Sequence, residues 1–317
     1  MSAPVRQRGV ALILVLWVTI LLTVIAGSFA FATRTDMQVL RNSVSVARAE
    51  AAANGGIYRA LFELYKPPNE VERWQGDGQV HEFNIGGAKI AVSAMDESGK
   101  IDINAGANEL LKGLFLSAGV NEEEATALVD AVQDWRDNDN FRRPHGAEEP
   151  EYRAAGLKYK PANAPFQTVE ELQLVLGMRP EIYRRIAGII TVYSRQPGLN
   201  VLIASRDALL AIPQVTEEQV DSHVALREAA RANKQPIPPF LPAGRFLGAP
   251  FNLAYSLRAE ARLEDGTVFV REAVAQILPD PKRPYTFLAW KEGVSNPDPK
   301  SSQTTNENPV TQSVQPK

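Results

Sequence analysis

The densest group of residues able to do chemistry is Asp134-x-x-Asp137-x-Asp139, followed by Glu148-Glu149 and Tyr152. Oxygen ligands gathered in one loop suit calcium, which fills the rest of its shell with backbone carbonyls and water. Asp137, Asp139 and Glu148 fall at positions one, three and twelve of an EF-hand loop. The match stops there: Phe141 and Arg143 stand at the next two ligand positions, and Arg142 stands where that loop requires glycine. The spacing leaves two readings open. One is a calcium site in a loop of another kind; the other is a set of helix caps and wet surface acids balanced by Arg136, Arg142 and Arg143.

Catalysis asks for more than acids. A hydrolytic metal centre needs an open coordination position and a base within reach, and the acidic loop is only the first hint of one. His81, His145 and His223 are widely separated, with no nucleophile or close metal spacing to join them. There is no cysteine, so thiol chemistry is excluded, and an exported domain must draw its stability from packing, assembly or a metal. Asn104, Asn108 and Asn163 read as turn or cap residues, and Trp135 as a packing residue at a helix end. A membrane-anchored metal-dependent hydrolase is therefore the weaker alternative.

Nucleic acid is disfavoured as a partner. The formal net charge is −3, and the pI is near 5.8. Leu209-Leu210-Ala211-Ile212-Pro213-Gln214-Val215 resembles half of a helix-hairpin-helix, but Gln214 replaces the usual glycine, which should cost the hairpin its backbone freedom. Neither flank presents a basic, aromatic-laced face.

The element that must position everything else is Val10 to Thr33, which carries no charge and is preceded by Arg6 and Arg8. As a helix it is roughly 35 Å long, enough to cross a bilayer core. The first acidic residue is Asp36, so charge favours a cytoplasmic N-terminus with the rest of the chain on the far side. A secretory signal would have a shorter apolar run and a cleavage point after it. Here the pattern continues: Met37, Leu40, Val44, Ala47, Ala51, Tyr58, Leu61 and Tyr65 recur at spacings of three and four, broken only at Asn54. Pro67-Pro68 should end the helix.

Beyond it, Val80 to Ile85 and Lys89 to Met95 read as a hairpin around Gly86-Gly87, with Ile101 to Asn104 a short third strand. Strand signals then vanish for a domain's length. Helices are predicted from Asn108 to Leu116, from a cap at Asn121 to Trp135, from a capping box at Thr168 and Glu171 to Leu176, from Pro180 to Tyr193, from Ser205 to Leu210 and from Thr216 to Ala232. Alternation returns at Leu253 to Leu263, and strands follow at Thr267 to Leu278 and Tyr285 to Trp290. The fold class is α+β: a helix and a split antiparallel sheet with a large inserted α-helical domain.

These features carry a resemblance. A short basic leader ending in Gly9, then an apolar helix continued by an amphipathic one, resembles the start of type IV pilins and type II secretion pseudopilins. Most members have glutamate as the fifth mature residue, where this chain has Leu14. That departure is shared by one branch, the large minor pseudopilin K family of type II secretion. DESGKIDINA (96–105), LVDAVQDWRDNDN (128–140), HGAEEPEY (145–152), NAPFQTVEELQLVLGM (163–178) and ITVYS (190–194) resemble the recurrent segments of that family, in the same order. Two departures are Gly198-Leu199-Asn200-Val201-Leu202, where only Asn200 matches an asparagine pair, and the long polar C-terminus.

The resemblance implies a leader (1–9), a transmembrane helix (10–33), an amphipathic helix (34–66), the first part of a pilin-like sheet (67–105), an inserted helical domain (106–234) and a connector with the second part of the sheet (235–292); the polar run 293–317, which has no apolar periodicity, reads from its composition as a disordered tail. It implies cleavage by a prepilin peptidase between Gly9 and Val10 with methylation of Val10, and a structural calcium on Asp134, Asp137, Asp139, Glu148 and Glu149. The implied location is the inner membrane, single-pass, with a periplasmic C-terminal domain built into a pseudopilus. The implied role is a non-enzymatic tip subunit that initiates assembly and supports export of folded proteins. Its partners would be two smaller minor pseudopilins (I and J), the major pseudopilus, the assembly platform and secreted proteins. A minor pilin of a type IV pilus or DNA-uptake machine is the competing member of the class. Leu14 also reads simply as one more lipid-facing residue, since a carboxylate there is costly unless an adjoining amine pairs with it.

Gly9→Phe is expected to block cleavage while leaving membrane insertion intact. Intact-mass analysis of membrane-extracted protein should give Val10 as the first residue; a terminus near Thr33 would reveal an ordinary signal peptide.

Overall fold

The structure is a computed structural model and describes residues 10–67, 70, 73–248 and 254–295. Gly9 with the rest of the leader, Pro68, Leu253 and the tail from residue 296 lie outside the described residues.

One helix, α1 (Val10–Tyr65), runs 56 residues without a break, about 84 Å at the standard rise. Its N-terminal half is apolar all round, exposed from Leu12 to Phe31, and long and apolar enough to cross a membrane. Its second half has two apolar faces rather than one. The face that packs is Ala49, Ala52, Ala53, Gly56, Ile57, Ala60, Leu61 and Leu64, all buried. The stripe read from the sequence, at Met37, Leu40, Val44, Ala47, Ala51, Tyr58 and Tyr65, stays exposed; only Leu61 belongs to both. The packed face is the richer of the two in small residues, which a close helix-to-sheet contact needs.

The large sheet runs β1 (Asp77–Ile85), β2 (Ala88–Asp96), β5 (Ala254–Leu263), β6 (Val268–Asp280) and β7 (Arg283–Glu292), in that order. Every neighbouring pair is antiparallel. Gly86 and Gly87 both take positive φ (57° and 83°), as the predicted tight hairpin requires. Ile90, Val92 and Ala94 turn one face of β2 inward, opposite Ala261, Ala259 and Leu257 of β5. Helix and sheet thus share one core. Two strands of that sheet precede the helical block and three follow it.

The block between β2 and β5 has a core of its own. It contains α2 (Asn108–Ser117), α3 (Glu122–Arg136), α4 (Glu149–Ala154), α5 (Pro180–Ile186), α6 (Arg206–Leu210) and α7 (Glu217–Ala232). Asn121, Ser205 and Thr216 cap α3, α6 and α7 with their side chains.

Four details depart from the sequence reading. Asn108 is not a cap: Ala107 holds that position, and the Asn108 carboxamide oxygen accepts from Gln133 Nε2 (2.5 Å). The third strand, β3 (Ile101–Asp102), leaves the large sheet and pairs in parallel with β4 (Ile190–Thr191). Accordingly the helix predicted to Tyr193 stops at Ile186, because the branched run Ile189-Ile190-Thr191-Val192 prefers a strand. Between Thr168 and Leu176 only a 3-10 stretch forms (Val169–Leu174), with Glu171 accepting from the Thr168 N–H (3.1 Å).

Gly56 marks the closest approach of α1 to the sheet. A Cβ there would lie 2.9 Å from Val92 Cγ2 and 3.0 Å from Ile90 Cγ2 and Ala259 Cβ, so backbone or neighbours must shift. Gly56→Val is expected to destabilise the protein by about 1–3 kcal/mol, read as a lower denaturant midpoint, whereas the same change at Gly27, which meets nothing within 4 Å, should leave the midpoint in place.

Candidate metal centre

The acidic loop is slung between two helix ends. Asp137 is the C-cap of α3 and Glu148 the N-cap of α4, so two of its carboxylates are fixed by the scaffold and Asp139 by the turn between them. Ligand oxygens of Asp137, Asp139 and Glu148 all lie within 4.8 Å of one another. These are the three residues at EF-hand positions one, three and twelve.

Electrostatics at this trio are unresolved by protein groups alone. Glu148 is buried, and its carboxyl is pushed up to about 7, first by burial and then by the charges of Asp134, Asp137, Asp139 and Glu151. Glu148 Oε1 and Asp137 Oδ1 are buried without a hydrogen-bond partner. Asp137 also sits at the negative end of a helix, where a carboxylate is disfavoured. Arg143 offers only a long contact to Asp137 (3.4 Å). Orphaned oxygens converging from two fixed helix ends fit a hard cation better than they fit a self-contained salt-bridge network.

Asp134 and Glu149 behave differently from the trio. Asp134 is fully buried and organises the loop's return: its two oxygens accept the Arg143 N–H (3.3 and 3.2 Å), and the Arg143 guanidinium stands 3.4 Å away. Burial raises its pKa. Gly146 passes so close that a Cβ would lie 2.0 Å from Asp134 Oδ2. Glu149 points away, to Arg153 (2.5 Å) and Lys160 (3.7 Å). The balancing roles suspected for the arginines are also divided: Arg142 pairs with Glu151 (3.1 Å), and Arg136 donates to the Ile103 carbonyl.

Asn163 contributes what its sequence position did not reveal. At φ 49° its Nδ2 donates to the Asp139 carbonyl (2.7 Å) and Asn140 Oδ1 (2.9 Å), bracing the loop from a distant segment. Asparagine is the residue type that tolerates this backbone conformation. Beneath the loop, Trp135 stacks on Phe166 (6.0 Å) and meets Tyr152 (6.1 Å), whose hydroxyl accepts the Leu176 N–H (2.9 Å). Asn104 exchanges two hydrogen bonds with the Phe166 backbone (2.9 and 2.8 Å).

No histidine side chain joins the trio. His81 stacks on Trp74, His145 lies in the same loop but is exposed and its backbone N–H donates to Asp130, and His223 is buried against Phe240. The turn between α6 and α7 corrects one expectation: Gln214 adopts φ 66°, so the hairpin forms without its glycine. The basic residues of α7 are spent inside the protein, Arg227 on the carbonyls of Val201 and Ala204 and Arg231 on that of Leu202, which leaves them poorly placed for phosphates. In the divergent loop, Asn200 holds Ser98 through its backbone N–H (2.8 Å) and side chain (3.3 Å).

Residues 83–195 match the family described as Type II secretion system (T2SS), protein K. Type II secretion system protein K of Klebsiella pneumoniae is 27% identical over 229 residues, covering 65% of this chain and 70% of that protein. The protein of the same name from Pseudomonas aeruginosa is 27% identical over 243 residues, covering 70% and 72%. In fold, the chain is similar to a chain of the GspK-GspI-GspJ complex from the enterotoxigenic Escherichia coli type 2 secretion system, with a TM-score of 0.58 at 16% identity over 83% of this chain and 99% of that one.

Proposed function

We propose that this chain, a minor pseudopilin of the type II secretion system protein K family, sits at the tip of a periplasmic pseudopilus and starts its assembly. The observation that carries the tip role is the bulk and position of the inserted domain. It is inserted where Asp96 of β2 meets Tyr255 of β5, the strand ends opposite the turns that lie against Ser45 and Arg48 of α1, and would obstruct a further subunit stacked above. Leu14 supports the same end: it lies in the exposed apolar half of α1 and cannot neutralise the amine of an adjoining subunit. The apolar half of α1 fits a single-pass anchor, with the N-terminus cytoplasmic and the head periplasmic.

On this reading the prepilin peptidase acts at Gly9 and Val10, and two smaller minor pseudopilins join the stem and head. The acidic loop holds calcium, with Asp137, Asp139 and Glu148 as the residues that would bind it and Asp134 as the residue that shapes the loop. Calcium there would offset the repulsion of three converging carboxylates and lock α3 to α4. Its role is structural, in the inserted domain.

Two experiments bear on this. Co-purified with the two smaller minor pseudopilins, the chain should form a complex of defined stoichiometry by size exclusion with light scattering and should not polymerise alone. Long filaments made only of this chain would defeat the tip role.

After exhaustive chelation, calcium should raise the melting temperature, and magnesium should substitute poorly. Asp137→Asn with Asp139→Asn should abolish most of that rise, while Asp134→Ala should cost about 1–3 kcal/mol with or without calcium, because it leaves the Arg143 backbone N–H without its acceptor. No saturable calcium binding by titration calorimetry would refute the metal.

A further inference from the structure

The large sheet has two faces, and α1 covers one of them through Leu257 and Ala273 among others. On the opposite face the strands bring residues together in rows. Ser93, Arg258, Glu272 and Lys291 stand side by side across β2, β5, β6 and β7, and Met95, Ser256, Val274 and Ala289 form the next row. Both rows floor a cleft of about 540 Å³ between the sheet and the inserted domain, whose wall includes Glu170, Tyr183, Thr191 and Tyr193. That is room for a ligand or a short stretch of chain. Little closes it: Lys291 of the floor reaches Glu170 of the wall only at 3.8 Å.

The chain leaving β7 runs straight to this cleft. The Gly293 N–H donates to the Val270 carbonyl (3.0 Å), and the Val294 carbonyl accepts from Arg258 Nη2 (2.8 Å). The polar run whose composition reads as a disordered tail from residue 293 therefore begins with bonded residues, laid across β6 toward β5. Gly293 permits the close approach, since a Cβ there would lie 2.7 Å from Val270 Cγ1 and 2.9 Å from Glu272 Cγ. Arg258, Glu272 and Lys291 line both the groove that holds Gly293 and Val294 and the cleft itself.

The residues that follow are Asn296-Pro297-Asp298-Pro299-Lys300. Proline has no N–H to continue a ladder, and the residue before each proline is pushed toward extended backbone, so the segment is preset for polyproline II. Such a strand docks in grooves lined by aromatic side chains, and being preformed it loses little entropy there. We infer that residues 296–302 lie in this cleft as a polyproline II strand, with Pro297 and Pro299 against Tyr183 and Tyr193 and Asp298 beside Lys291, strapping the inserted domain to the sheet. At about 3.1 Å per residue the segment reaches roughly 22 Å, enough to run from the floor to the far wall. A weak contact suffices, because a short tether supplies the segment at an effective concentration on the order of millimolar. The inference stands apart from the tip assignment and gives the C-terminal run a role within its own chain.

The chain has no cysteine, so disulfides can be placed at will in the full-length, detergent-solubilised protein. Glu170→Cys would be paired with Ser301→Cys in one variant and with Ser313→Cys in another. A free tether closes these two loops, counted from Lys291, at rates that differ by about threefold. Docking should raise the ratio to about tenfold or more, and adding Pro297→Gly with Pro299→Gly should bring it back to about threefold. Hydrogen exchange of the cysteine-free protein gives a second readout. Amides from Thr191 to Tyr193 should exchange about fivefold more slowly in the full chain than in one ending at Ser295, and a peptide of residues 296–302 at millimolar concentration should restore the slow rate.

A ratio near threefold, or equal exchange in the two chains, overturns the inference. Disulfides formed only between two copies give the cleft to a neighbour's segment and overturn it as well. Protection that appears only when an exported protein is added assigns the cleft to that partner and removes the tail as its occupant.

Discussion

The contact at Gly56 is the constraint on which the rest of the head depends. It brings a helix backbone against side chains of two strands at once, Ile90 and Val92 of β2 and Ala259 of β5. Those strands are separated in sequence by the whole inserted block, so the core beneath α1 closes only when β5 lies in register beside β2. Alanines at 49, 52, 53 and 60 extend the close approach along the helix. Larger side chains would bury more apolar area each, yet they would hold the helix off the sheet and lose the dense contact that dispersion rewards.

The two cores are tied by a buried acid. Glu97, in the short 3-10 turn after β2, accepts from Lys100 Nζ (2.7 Å), from the Thr191 hydroxyl on β4 and from the Ser256 hydroxyl on β5. One carboxylate thereby touches the large sheet, the small sheet and the turn between them. A buried charge is tolerable only when fully satisfied, and this one is. Asp96 beside it caps the same turn through the Ser98 N–H (2.8 Å), with burial lifting its pKa to about 6. The orientation of the inserted domain on the stem is thus specified by polar geometry as well as by apolar burial.

The acidic loop shows the opposite condition. Its trio is brought together by helix ends that are stable for other reasons: the apolar face of α3 on the domain core, and the Trp135, Tyr152 and Phe166 rings below. Scaffold rigidity forces three carboxylates to converge while leaving Glu148 Oε1 and Asp137 Oδ1 without donors. An ion that binds there gains from preorganisation, because the cost of gathering the ligands has already been met by packing.

Much of this was legible in the residues themselves. The length and lack of charge of Val10 to Thr33, the Gly86-Gly87 hairpin, the caps at Asn121, Ser205 and Thr216, and the alternation of β5 are local signals, set by hydrophobic period, φ preference and side-chain hydrogen bonding. The segments resembling the pseudopilin K family were equally plain. Tertiary structure decided the rest, through contacts between residues far apart. It chose the small face of α1 for the sheet and left the large stripe bare, drew β3 away to pair with β4, separated Asp134 and Glu149 from the trio that shares a site, and placed Asn163 across the loop. Sequence period reports that a face is apolar. Which partner covers that face depends on shapes and distances that exist only once the chain has closed on itself.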